Sequence, residues 1–409
     1  MSIQVHFNNI ELSVISIPRS KLWIFTNPII QLLYDSIPEE DKHSDSGPSS
    51  EDGTASDDYE NEGEDTETFI NSTGSQFTKL STDFNNSSRK SVDNSSKPQS
   101  HQTFTDNPQG NDHERHEESF FHVGLTQTEC TIICSTRLTN KFFTQALALC
   151  KEMGYTDVEI LPQQYLSLIV DSDSGFARSL RILELTKPLS ENDVALFYIS
   201  SHFNDIVLIP SDLRDRVQQI LILEHFIFSE SSNSYISTYD IEEREQPALL
   251  ESHKKTFELL AREEIHPQIH EKHKVLLTGA RPGEIKYCVL KTIKLISLAN
   301  TSQPSYFAIT RTFSNELSLV LPKSPKLRSR YGFKSTSTIG LSQDVLVPVA
   351  MDLSKLPLNC TGIVAGLANK LIIQGGNVLE IGYLSMAKSA VILIPKEDID
   401  LVRNILKEF

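Results

Sequence analysis

The sequence predicts an α+β protein made of four βαββαβ units, arranged as a tandem duplication of a two-unit half. From Thr361 onward, hydrophobic periodicity predicts a glycine turn, an apolar-striped helix, two strands and a closing helix, which is most of one unit. The motifs Tyr198-Ile-Ser and Tyr383-Leu-Ser lie 185 residues apart, and each is followed at the same distance by Leu-Ile-Pro. The segments that begin at Phe121 and Phe307 give nearly the same offset, which indicates an internal duplication.

Composition narrows the class of protein. The 409 residues are 39% hydrophobic, which is enough for two to four domains with proper cores. No apolar run approaches the about 18 residues of a membrane span, and no basic start precedes an apolar core as in a secretory signal, so we expect a cytoplasmic protein. The net charge of −16, without a basic stripe, argues against nucleic acid as a partner.

The units follow one another with one insertion and one linker. Their predicted boundaries are 1–37 plus 118–158 for the first unit, 38–117 for the insertion, 159–228 for the second unit, 229–273 for the linker, 274–340 for the third unit and 341–409 for the fourth. In the first unit an alternating strand pattern precedes a helix that Thr26 or Asn27 can cap, with Pro28 at its first position. A hairpin and a helix over 139–151 complete this unit.

The insertion is predicted to be disordered. It holds 19 acidic and 6 basic residues and few apolar ones, so it cannot bury enough surface to offset chain entropy. Within it, Asp45-Ser46-Gly47-x-x-Ser50 has the spacing of a phosphodegron, and the alternative is an unregulated, solvated loop.

The second and third units repeat the same order of elements. The second is predicted to have a strand at 165–170, a helix opened by Gly175, two more strands and a helix over 211–223. In the third, a turn over 279–283 leads into a helix that begins at Glu284. This turn lacks the Gly-Lys-Ser/Thr ending of a phosphate loop.

No motif in the sequence indicates catalysis, a cofactor or a metal. A nucleophile elbow, a P-loop, a dinucleotide fingerprint and HExxH are all missing from the sequence, so we expect a non-enzyme without a cofactor. Asp171, Asp173 and Asp205 are interpreted as turn or strand-end residues. The five cysteines form no CxxC pair and are expected to be reduced and packed.

Three linker histidines invite a zinc interpretation that we do not favour. His266, His270 and His273 can share a helix face, but Pro267 interrupts that turn and no fourth ligand lies nearby. We therefore expect a solvated face and no metal.

The four units resemble ACT domains, the ferredoxin-like, amino-acid-sensing modules attached to aspartokinases and other biosynthetic enzymes. The chain as a whole resembles the CASTOR family of cytosolic arginine sensors, which act on the TOR pathway through the GATOR complex. The resemblance rests on Leu22-Trp-Ile-Phe-Thr-Asn-Pro-Ile-Ile-Gln-Leu-Leu, Val194-Ala-Leu-Phe-Tyr-Ile-Ser-Ser-His-Phe-Asn-Asp, Gly362-Ile-Val-Ala, Tyr383-Leu-Ser and Ile394-Pro.

The resemblance implies a ligand site between the second and fourth units. There, backbone amides of a glycine turn before a helix would hold the carboxylate of an amino acid. The implied ligand-binding residues are Ala195, Leu196, Cys360, Thr361, Gly362, Ile363, Ala387, Ser389 and Ala390. Cys360 and Ala390 stand where the arginine sensors have acids for the guanidinium, so we expect a smaller or neutral amino acid, or an empty pocket.

The resemblance also implies a surface for a GATOR-type partner at His202, Phe203 and Asp205, for which an ordinary polar hairpin is the alternative. A homodimer is compatible with the resemblance. Two other functions stay open: an interaction scaffold whose cleft is filled by Leu196, Leu358 and Met386, and an allosteric subunit of an amino-acid biosynthetic enzyme.

Overall fold

The computed structural model describes residues 4–38, 42, 120–170, 178–228, 249–341, 345–375 and 379–407. Asp171, Asp173, the turn at Gly175 and the serines of the insertion lie outside the described residues. In the described part of the chain the longest helices have 14 residues, and none is long and apolar enough to span a bilayer.

The first unit begins with a long strand that leads directly into a helix. Its elements are β1 (Gln4–Pro18), α1 (Leu22–Asp35), β2 (Phe121–Leu125), β3 (Glu129–Ser135), α2 (Thr136–Phe142), α3 (Thr144–Glu152) and β4 (Glu159–Ile160). The predicted helix start at Pro28, with Thr26 or Asn27 as its cap, was wrong, because a 3-10 turn carries β1 straight into the helix and places Pro28 inside it. Pro28 has no N–H to donate, but it lies on the buried face of α1 together with Ile29 and Leu32.

The second unit and the linker follow. They contain β5 (Tyr165–Val170), α4 (Arg178–Glu191), β6 (Phe197–Ser200), β7 (Asp205–Pro210), α5 (Arg214–Leu223), β8 (Ile227–Phe228), α6 (Leu249–Arg262) and β9 (Gln268–Ile269). The helix α6 lies in the segment expected to be a polar, partly helical linker.

The third and fourth units have the same order of strands and helices. They contain β10 (Val275–Ala280), α7 (Ile285–Leu298), β11 (Phe307–Arg311), β12 (Leu317–Pro322), α8 (Pro325–Tyr331), β13 (Thr338–Ile339), β14 (Leu346–Asp352), α9 (Ile363–Gln374), β15 (Gly382–Ser385), β16 (Ser389–Pro395) and α10 (Ile399–Leu406).

The units associate in two pairs. β2 pairs with β11, which joins the first and third units, and β6 pairs with β15, which joins the second and fourth. We call these the odd pair and the even pair. Strand pairs β1–β5 and β10–β14 then connect the two pairs, so the hydrogen-bonded strands form a closed circuit.

Each strand has one face towards helices and one towards the other pair. In β7, Val207 and Ile209 pack with the helices of the even pair, whereas Ile206 and Leu208 pack with strand residues of all four units. Neighbouring residues on a strand point to opposite faces, so this division follows from the period of two. The odd pair has its own helix-facing core.

The duplicated Tyr-x-Ser motif is the contact between the second and fourth units. The amide of Tyr198 donates to Oγ of Ser385 at 2.8 Å, and the amide of Tyr383 donates to Oγ of Ser200 at 3.0 Å. The two tyrosine rings meet edge to face with centroids 6.4 Å apart. The two copies of the motif therefore bind each other about a local two-fold axis.

Candidate functional site

A cavity lies between the second and fourth units. Its volume is about 80 Å³. The second unit contributes the end of α4 and the loop before β6, and the fourth contributes the start of α9 and the β15–β16 hairpin. Of the residues implied by the family resemblance, the cavity wall includes Ala195, Leu196, Cys360, Gly362, Ile363, Ala387, Ser389 and Ala390. Thr361 adjoins these residues in sequence but is not part of the wall.

Gly362 is required by the turn that opens α9. Its φ of +81° lies in the left-handed region, which L side chains rarely adopt. A Cβ at this position would also stand 2.7 Å from Oγ1 of Thr256 and 2.9 Å from Oγ of Ser190. Only glycine allows the helix start to approach both side chains.

The start of α9 offers backbone donors to the cavity. The amide of Gly366 donates to the carbonyl of Gly362 at 2.7 Å, which closes the first turn of the helix. The amides that precede it have no carbonyl within the helix to bind. Since Ile363, Val364 and Ala365 line the cavity, this helix end can bind an anion such as a carboxylate.

The rest of the wall is neutral. Its side chains are mainly aliphatic, and its polar side-chain groups are the thiol of Cys360 and the hydroxyls of Tyr165, Thr186, Ser190, Tyr383, Ser385 and Ser389. Burial raises the pKa of the Cys360 thiol and raises the pKa of Tyr165 to about 12, so both stay uncharged at neutral pH. Among the described wall residues there is no Asp, Glu, Lys, Arg or His.

The side chains expected to plug the cleft form part of its wall. Leu196, Leu358 and Met386 all face the cavity, and Leu358 is 41% exposed at its rim. They leave the space between the two units open.

The linker helix α6 packs beside the glycine turn. The sequence did not predict this position of α6. Thr256 contacts Gly362 and Gly366, and Phe257 and Leu260 pack in the core of the even pair. The spacing of Phe257 and Leu260 was the available signal for a buried helix face.

The structure contradicts the partner-surface prediction for Asp205, whereas His202 and Phe203 are half-buried against the third unit. The amide of His202 donates to Oγ of Ser318 at 2.8 Å, and the rings of His202 and Phe203 cover Gly279 of the third unit. Asp205 is fully buried and pairs with the Arg181 guanidinium at 3.2 Å. These contacts leave Asp205 inaccessible to a partner.

The equivalent hairpin of the fourth unit docks on the first unit in the same way. The amide of Ala387 donates to Oγ1 of Thr131 at 2.9 Å, and Oγ of Ser389 donates to the buried Glu129 carboxylate. Ala387 and Ser389 therefore line the cavity and are also hydrogen-bonded to the first unit, which belongs to the odd pair.

The linker histidines do not lie on a helix, which removes the geometry that the disfavoured zinc interpretation required; His266 is exposed, and His270 and His273 are half-buried. His270 follows β9, and its Nδ1 lies 3.2 Å from Nε2 of Gln127. The rings of His270, His273 and Tyr306 pack together. Among the described residues, no group of three His, Cys, Asp or Glu side chains could hold a metal ion.

Comparison with known proteins gives the family of two segments. The ACT domain family model matches residues 160–222 and 341–408, and these segments carry most of the cavity wall. No curated protein matches the chain. ACT domains are regulatory modules that bind small molecules such as amino acids and often dimerise, so the two matches indicate a role of this kind.

Two solved structures are similar to the chain. One is a protein from Agobacterium tumefaciens, with 14% identity, 28% of this chain and 91% of that chain covered, and a TM-score of 0.20. The other is aspartate kinase from Synechocystis, with 10% identity, 70% of this chain and 49% of that chain covered, and a TM-score of 0.24. The chain spans about half the length of that kinase.

Proposed function

We propose that this protein is a non-catalytic, cytoplasmic amino-acid sensor of the CASTOR type, built from four ACT domains. It binds a small, uncharged amino acid between the second and fourth units and needs no cofactor or metal. The single observation that carries the proposal is the cavity in which the start of α9 faces the strand end of the paired unit.

The chemistry of the wall supports an amino acid with a neutral side chain. The amides of Ile363, Val364 and Ala365 suit the carboxylate. A guanidinium buried among the aliphatic side chains, Cys360 and Ala390 would lose its hydration without gaining a carboxylate partner. Arginine is therefore disfavoured.

Thermal unfolding in the presence of each of the twenty amino acids tests the proposal. A ligand at one hundred times its dissociation constant adds roughly 2.7 kcal/mol to the free energy of unfolding, so the midpoint rises by several degrees. We expect a rise with one or a few small neutral amino acids and none with arginine. If no amino acid raises the midpoint, the cavity is not an amino-acid site, and the scaffold function replaces the sensor function.

The signalling partner is proposed to be a GATOR-type complex of the TOR pathway. The half-buried His202 and Phe203 stay part of the proposed contact surface, whereas the buried Asp205 does not. Affinity purification of the tagged full chain, with and without the stabilising amino acid, tests this. Recovery of an amino-acid biosynthetic enzyme instead would favour the allosteric-subunit function.

A further inference from the structure

One buried hydroxyl on the cavity wall is not explained by the fold. Ser190 lies next to the end of α4 and is 5% exposed. Within the described residues its Oγ has no hydrogen-bond partner. The other hydroxyls near it are accounted for: Oγ1 of Thr186, one turn earlier, donates to the carbonyl of Ile182 at 2.6 Å, and Oγ of Ser385 accepts from Tyr198.

An unpaired buried hydroxyl destabilises a folded protein, because it has lost its hydrogen bonds to water and gained none in return. A serine in a helix usually avoids this by donating to the carbonyl four residues earlier, as Thr186 does. Ser190 does not, and its Oγ stands beside the Gly362 turn, 2.9 Å from the position of a Cβ there. The hydroxyl is therefore positioned at the helix start, where the carboxylate of a ligand would lie.

We infer that Ser190 donates a hydrogen bond to the α-carboxylate of the bound amino acid, which the amides at the start of α9 hold from the other side. This inference rests on the proposed function and names a binding residue that the family resemblance did not supply. It also makes the ligand a bridge between the two ACT-like units, because Ser190 belongs to the second and the amides of Ile363 and Val364 to the fourth.

The test compares Ser190→Ala with Ser297→Ala in the full chain. Ser297 is the matched control, because it is also the penultimate residue of its helix, is exposed and donates to the carbonyl of Ile293 at 2.8 Å. Isothermal titration calorimetry measures the affinity of each stabilising amino acid and of its carboxamide, which lacks the carboxylate charge.

For Ser190→Ala we expect the affinity for the amino acid to fall about ten- to a hundredfold, as for the loss of a hydrogen bond to a charged group. The affinity for the carboxamide should fall less, and the unfolding midpoint without ligand should stay or rise because the unpaired hydroxyl is gone. Ser297→Ala should bind like the wild type.

Equal weakening of the amino acid and its carboxamide, or unchanged binding by Ser190→Ala, would overturn the role of Ser190 and leave the sensor function standing. Absence of binding by the wild-type protein to all twenty amino acids would overturn both.

Discussion

In the odd pair, the turn after β1 packs against the loop between α7 and β11. Arg19 lies in this turn, is 4% exposed, and donates to the carbonyls of Asn300 at 2.8 Å, Pro304 at 2.9 Å and Thr126 at 3.1 Å. In the even pair, the corresponding turn is the one at Gly362, and the corresponding loop joins α4 to β6. Here none of the described side chains fills the crevice, which stays open as the cavity.

This difference shows that the same duplicated architecture can form a structural contact in one pair and a candidate ligand site in the other. In both pairs, a helix start of one unit lies beside a loop of the other. The odd pair fills the crevice between them with an arginine that satisfies backbone carbonyls, which fixes the two units together. The even pair has a glycine at this turn, so the crevice stays available to a small molecule.

The largest expected effect comes from emptying the filled crevice. Arg19→Ala leaves three carbonyls without their donor, so we expect the free energy of unfolding to fall by roughly 4 kcal/mol in a denaturant titration. The control is Arg216→Ala, which removes an exposed arginine that donates to the carbonyl of Asn192 in the corresponding loop of the even pair. A loss of under about 1 kcal/mol for Arg19→Ala would contradict its fastening role.

Low pH should destabilise the protein through protonation of His122, which lies in the odd pair. This residue of β2 is fully buried, its Nδ1 lies 2.8 Å from Oγ1 of Thr310, and burial lowers the pKa of His122 to about 4. The unfolded chain binds this proton more tightly than the folded protein, so the free energy of unfolding should fall as the pH drops from 6.5 towards 4. The full loss corresponds to roughly 3 kcal/mol.

Denaturant titrations between pH 4 and 7 measure this contribution. His122→Gln removes the protonation and should flatten this part of the pH profile. The same substitution at the exposed His266 should leave the slope as in the wild type. Identical profiles for the wild type and His122→Gln would contradict the prediction.

Substitution of two glycines, each in the turn before the first helix of its unit, compares the even pair with the odd pair. Gly362 and Gly283 both have φ near +80°, at +81° and +82°, but a Cβ at Gly283 would meet nothing within 4 Å. Gly283→Ala should therefore destabilise the protein by roughly 1–2 kcal/mol through the backbone alone. Gly362→Ala should lower the free energy of unfolding by more than Gly283→Ala does, because the turn must also move away from Ser190 and Thr256.

Calorimetry with the stabilising amino acid separates the two variants further. Gly362→Ala should weaken binding at least about tenfold, equivalent to roughly 1.4 kcal/mol, because the helix start is displaced from the cavity. Gly283→Ala should bind normally. Equal binding by both would place the ligand elsewhere.

The smallest expected effect is a change in the alkylation rate of one thiol. Cys360 is partly exposed on the cavity wall, whereas Cys130, Cys134, Cys150 and Cys288 are buried. We expect iodoacetamide to alkylate Cys360 first, slowly because burial raises the pKa of its thiol. The stabilising amino acid should slow the reaction further, as followed by mass spectrometry. Faster labelling of any buried cysteine would contradict this order.

Much of the fold could be predicted because it depends on neighbouring residues. The period of the apolar positions predicted the strand at 165–170 and a helix directly after the turn over 279–283, close to the observed β5 and α7. The error at α1 arose because Pro28 has a strong local preference for a first turn, which the burial of the preceding Phe25 outweighs. The break between α2 and α3 at Phe143 was not predicted either.

The candidate site was predictable in part. Hydrophobic periodicity predicted the glycine turn, the family resemblance assigned Gly362 and Ala195 to a ligand site, and the structure brings both residues to one cavity. Ser190 and Thr256 were missed, because a serine or threonine inside a helix gives no signal of what its hydroxyl faces. The hairpin at Phe203 was assigned to a partner, because nothing near it in the sequence indicates that Gly279 and Ser318 cover it.

By itself, the sequence determined that this chain is a duplication of strand–helix units with a glycine turn before its last long helix. Those features are set by residues within a few positions of one another. Which crevice is filled and which is open was decided only by the tertiary structure. The Arg19 side chain closes the odd crevice through a carbonyl 281 residues away, and no local pattern encodes a contact at that distance.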